Sequence, residues 1–134
     1  MIDIEQDVYN VIAPVIREQY PKAFVTGEYV PAPVQFPAVS IVEMDNTMLT
    51  ATQDSASLEN DVSVMYEVNV YSNRITGKKA ECKAIAALID EQFMLLGFTR
   101  SFLNPIPNLN DATIYRMTGR YRAVVSDDQV IYRP

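Results

Sequence analysis

Between Val62 and Gly97 the chain reads VSVMYEVNVYSNRITGKKAECKAIAALIDEQFMLLG, a stretch that leaves few choices of fold. Its opening residues alternate: Val64, Tyr66, Val68 and Val70 fall on one side of an extended strand, and Ser63, Met65, Glu67, Asn69 and Tyr71 on the other. A strand of this kind buries one face. Ser72 to Thr76 then turns the chain, with Ser72 or Thr76 available as a cap. The period changes to that of a helix from about Gly77 to Leu96, and Gly97 supplies the stop. Along this helix Cys82, Ile85, Ile89, Phe93 and Leu96 form one apolar stripe and Ala84, Leu88 and Leu95 a second. The expected cover is a sheet on one side and another helix on the other, with a docked partner as the alternative.

That other helix is predicted over residues 3 to about 19, where Ile4, Val8, Val11, Ile12 and Val15 recur at helical spacing. Asp3 is a candidate cap, Pro14 predicts a bend, and Tyr20-Pro21 an end. Phe24 to Val30 reads as a short strand. Pro31, Pro33 and Pro37 forbid regular pairing until Ala38 to Met44 resumes as a strand. Residues 45 to 61 read as a long polar loop, of the kind that is usually functional or mobile. Phe98 to Leu103 reads as a strand and 104 to 108 as a loop. Ala112 to Val125 reads as a long strand with a bulge expected near Gly119, and Val130 to Arg133 as a short last strand. The order implies an α+β fold: one mostly antiparallel β-sheet with two α-helices packed on one face. At 134 residues this is one domain, 1–134.

Chemistry is harder to find. The chain has no histidine, and so lacks the commonest general base near neutral pH and the commonest metal ligand. The lone thiol, Cys82, falls on the core stripe of the helix and reads as a small buried hydrophobe. Carboxylates group at Asp54 to Asp61, Asp90-Glu91 and Asp127-Asp128, but none has the spacing of a cation loop. There is no phosphate-cradling glycine run and no serine-hydrolase elbow. No catalytic residue, cofactor or metal is assigned. A net charge of -6 argues against a surface built to neutralise phosphates. One cysteine requires no oxidising compartment, and MIDIEQDVYN is acidic where a signal peptide is basic. A cytosolic product that neither crosses nor enters a membrane is expected.

Candidate binding residues remain. Arg116, Arg120 and Arg122 line one face of a strand whose other face is apolar, either as a salt-bridged surface opposite Glu67 or as a contact to acidic groups of another subunit. Lys78 and Lys79, with Arg74 and Lys83, put positive charge at a helix start, where the dipole opposes it; a solvated helix start or a small binding patch explains them. Met48, Leu49, Leu103, Ile106 and Leu109 are apolar residues among polar and proline positions, suited to meeting another chain or to folding over the sheet ends.

The run YEVNVYSNRITGKKAECKAIAALIDEQFMLLGF, preceded by FPAVSIVEMD and followed by IYRMTGRYRAVV, resembles the small tail-terminator and tail-completion (minor capsid or neck) proteins of long-tailed bacteriophages. The likeness covers most of the chain and lies in the order and character of its elements. It implies a homo-oligomeric ring, usually a hexamer, that caps the tail tube protein, halts its polymerisation and presents a surface to the head-tail connector protein. DNA would pass through such a ring without specific binding, no membrane would be involved, and no catalysis is expected. The 46 to 61 and 104 to 110 loops are the expected docking surfaces. Alternatives are a head-side neck or head-closure protein of the same particle, a monomeric or dimeric protein-binding module outside any virus, and a small enzyme working without histidine.

Overall fold

The computed structural model describes residues 1–49, 60–107 and 111–133. The alternating run lies at its centre as β3 (Asp61–Ser72), paired antiparallel with β2 (Ala38–Met48) on one side and β5 (Tyr115–Ser126) on the other. Outside β2, β1 (Phe24–Thr26) runs parallel to it. Outside β5 lie β4 (Thr99–Pro105) and, further along the same flank, β6 (Ile131–Tyr132), both antiparallel. The result is the expected α+β fold with one mostly antiparallel sheet.

Two helices, α1 (Glu5–Gln19) and α2 (Lys78–Leu96), pack on the apolar face of that sheet. Val8, Ile12, Ala13 and Ile16 of α1 join Cys82, Ile85, Ala86, Ile89 and Phe93 of α2 in one cluster with Val64, Tyr66, Val68 and Val70. Rings fill its centre: Phe93 stacks on Tyr121 with centroids 4.3 Å apart and meets Phe98 edge-on at 5.0 Å. Such pairs contribute about 0.5–1.5 kcal/mol each beyond the area they bury. Gly97 ends α2 at φ 101, its own N–H donating to Met94 and that of Phe98 to the Phe93 carbonyl, a closure that glycine adopts without strain.

Several element boundaries differ from those the sequence predicts. The first helix starts at Glu5, after Ile4, although the Asp3 carboxylate still accepts the Glu5 N–H at 3.0 Å. The second helix starts at Lys78 without a side-chain cap: the Ser72 hydroxyl donates to Glu81 instead, at 2.8 Å, and Gly77 precedes the helix in the left-handed region. β1 stops at Thr26, whose hydroxyl accepts the Glu28 N–H at 3.2 Å in the turn that follows. β2 continues to Met48, so that Asp45 to Met48 are strand rather than loop, held by pairs such as Asn46 with Val64. Likewise β4 takes in Asn104 and Pro105.

Gly119 makes no bulge. Its register with Val68 and Leu103 is regular, and the irregularities fall instead between Glu43 and Asp45 and between Arg100 and Phe102. Glycine is needed there for space: a Cβ would lie 2.9 Å from Leu103 Cδ1. The second stripe of α2 is not covered as expected either. Leu88 is half-buried, but Ala84 and Leu95 are exposed, since with about 3.6 residues per turn both point away from the line of Cys82 that faces the sheet.

Candidate interaction surface

With both helices on one face, the other face of the sheet is left to polar side chains. The register sets Tyr71 opposite Arg116, Asn69 opposite Thr118, Glu67 opposite Arg120 and Met65 opposite Arg122. Asn69 is 1% exposed, and its Oδ1 accepts from Arg116 Nε at 3.0 Å, Arg116 Nη2 at 2.8 Å and the Thr118 hydroxyl at 2.7 Å. Its amide nitrogen donates to Glu67 at 3.2 Å, and Glu67 in turn holds Arg120 Nη2 at 2.9 Å. Guanidinium planes also cover rings, Arg116 over Tyr71 at 5.5 Å and Arg120 over Phe102 at 5.8 Å.

Parallel neighbours cannot be joined by a tight turn, so the chain between β1 and β2 must cross a face of the sheet. It crosses this one. The Tyr71 hydroxyl donates to the Val30 carbonyl at 3.2 Å, and burial, ahead of the other influences on it, raises the Tyr71 pKa. Tyr29 then borders a depression of about 370 Å³ whose other walls are Val42, Met44, Glu67, Asn69, Arg116 and Arg120. Tyr29 and Met44 are 54% and 50% exposed at its rim. Ser40, opposite Asn69 in the register, is buried with no hydrogen-bond partner for its hydroxyl among the described residues.

The three arginines predicted from sequence therefore share one face but not one role. Arg120 forms the ion pair with Glu67. Among the described residues, Arg116 is half-buried with no carboxylate within ion-pair distance, and Arg122 is exposed with none. The apolar candidates separate further. Met48 ends β2 and is 40% exposed, while Leu49 is half-buried and its N–H donates to the Asp61 carbonyl. Leu103 lies in β4, within the strand the sequence predicts, and packs against the core over Gly119. Ile106 follows β4, half-buried, its N–H on the Arg116 carbonyl at 3.0 Å. Leu109 lies outside the described residues, as does most of the 46 to 61 loop.

The opposite flank of the sheet is acidic. Beyond Ser40 the edge of β2 has no strand beside it among the described residues, and the start of α1 covers it: Glu5 Oε2 accepts the Glu43 N–H at 2.8 Å, and Asn46 donates to the Ile2 carbonyl at 2.8 Å. Tyr66 donates its hydroxyl to Glu43 at 3.2 Å. Burial, with Glu5 and Asp3 nearby, raises the Glu43 carboxyl above its ordinary value, and burial likewise raises the Tyr66 hydroxyl. A cleft of about 480 Å³ opens here between α1 and the turn after β1, with Asp3, Glu5, Tyr9 and Glu28 in its walls. Sequence reading missed both this cleft and Asn69. Asn69 and Glu67 fall on the polar face of the alternating strand, but the register that brings Arg116 onto Asn69 joins residues 47 apart and leaves no local pattern.

Other polar groups are used internally. Asp90 accepts from the Tyr121 hydroxyl at 2.8 Å and from Arg100 at 3.2 Å. Arg74 of the basic helix start lies 3.6 Å from Glu81. Burial pushes the Cys82 thiol up to about 12, with its S–H aimed at the Val70 and Tyr115 carbonyls. Among the described residues no three His, Cys, Asp or Glu side chains are grouped to hold a metal ion, and no helix is long and apolar enough to cross a membrane. No family model and no curated protein matches the chain.

Proposed function

We propose that this chain is a structural protein of a bacteriophage particle, forming a ring that caps the tail tube, ends its polymerisation and joins the tail to the head connector. The resemblance in sequence order supports this reading. The observation that carries it is the sheet face left open by the helices, where Arg116 is half-buried without an acidic partner among the described residues. A charge removed from water is costly until it is paired, so such a face suits protein contact.

The mechanism is geometric. A closed cyclic assembly has two unlike faces, of which one fits the last ring of the tube and the other offers no site for a further tube subunit. A net charge of -6 suits a channel that DNA traverses without adhering. The ring would be assembled in the cytoplasm of a bacterial host and end in the tail or neck of the virion. Negative-stain microscopy of the purified protein, alone and added to polymerising tail tubes, tests the reading. A six-fold annulus with an open centre and tubes of arrested length are expected. A protein that remains a single subunit at high concentration and leaves tube growth unchanged would remove it.

A further inference from the structure

Charge is divided unevenly across the sheet. Residues 1 to 49, which form α1, β1 and β2, carry seven acidic side chains against only Arg17 and Lys22, whereas residues 60 to 133 carry eight acidic and nine basic ones. Because the strand order is β1-β2-β3-β5-β4, this division in sequence is also a division in space, with the acidic part at one flank and the arginine-bearing β5 toward the other.

Resting on the ring reading, we infer that copies of this chain join head to tail, the basic outer face of β5 on one copy seating against the acidic flank of α1 and the turn after β1 on the next. Among the described residues each surface holds charges without ion pairs. Arg116 and Arg122 have no carboxylate partner among the described residues, and Asp3, Glu5 and Glu28 around the acidic cleft have no Lys or Arg partner there. At about 3.4 Å per strand residue the row from Arg116 to Arg122 is roughly 20 Å long, which no small anion spans and a protein surface does. The acidic surface that matches it is present on the same polypeptide. Tyr29 and Met44, half exposed beside Arg116, give the contact apolar area next to the charges. Since the two patches differ, the contact is heterologous, the type that closes into a ring when the rotation per subunit permits.

Sedimentation velocity on three variants tests this. Arg122→Glu with Arg116→Gln alters the basic side, the glutamine keeping a donor for Asn69. Gln6→Lys with Glu28→Lys alters the acidic side at two exposed residues of the cleft wall, the lysine at position 6 keeping a donor for Asn10. Each is expected to weaken self-association by roughly a hundredfold at low salt, and a single chain carrying all four changes should recover most of it. Circular dichroism melting confirms that each variant is folded. Wild-type assembly that survives the acidic-side change in a folded variant overturns this contact and leaves the ring reading standing. Wild type that never assembles overturns both.

Discussion

Two N–H groups of Arg116, Nε and Nη2, converge on the single oxygen Oδ1 of Asn69, at 3.0 and 2.8 Å. Thr118 adds a third donor to the same atom, on a residue that is 1% exposed. Asn69→Ala removes the acceptor and leaves a guanidinium and a hydroxyl unsatisfied. The expected loss is about 2–3 kcal/mol of stability, read as a lower urea midpoint at unchanged m-value.

Gly119 is predicted to be intolerant of even a methyl group. Gly119→Ala should cost about 1–3 kcal/mol, because the new Cβ meets Leu103 Cδ1 at 2.9 Å and Tyr121 Cε2 at 3.3 Å. In a Leu103→Ala background the same change should cost less. A denaturation double-mutant cycle measures the difference, and equal costs in both backgrounds would show that the clash lies elsewhere.

Glu43 gives a pH dependence whose sign is opposite to that of an ion-paired carboxylate. Its folded pKa is raised above the ordinary 4.5, chiefly by burial and then by Glu5 and Asp3. Between those two values the folded state binds more protons than the unfolded one, so this group's contribution to stability falls as pH rises through the window. Glu43→Gln, which can still accept from Tyr66, should flatten the slope of stability against pH between 4.5 and neutrality and raise stability at neutral pH. Thermal melts of both proteins across that range provide the check.

Cys82 should be inert in the folded protein. It is 0% exposed with its thiol raised to about 12, so almost none is thiolate at neutral pH. A disulfide reagent is expected to label it only as fast as the chain unfolds, whereas labelling that is fast and independent of denaturant would place the thiol outside the core.

The parts of this fold legible in the sequence are those governed by a local period. Val64, Tyr66, Val68 and Val70 announce β3, and Cys82, Ile85, Ile89 and Phe93 announce α2, because each pattern reflects burial of one side of one element. Element ends were less legible. Asp45 to Met48 look like loop residues and are strand because β3 is there to pair with them, a tertiary effect that overrides local preference. The candidate surface was legible by half. Alternation put Arg116, Arg120 and Arg122 on one face, yet the different fates of these arginines depend on which residue the register sets opposite each. The acidic cleft was not legible at all, since Asp3 and Glu28 meet only through the crossing between β1 and β2.

The strand at the middle of the sheet has backbone partners along both flanks, from Val62 to Tyr71 toward β2 and from Asp61 to Ser72 toward β5. No partial fraying reaches it. Its amide protons should consequently be the slowest in the molecule to exchange for deuterium, at a rate that matches complete loss of structure, whereas those of β1 and β6, tied on one side over three and two residues, should exchange first.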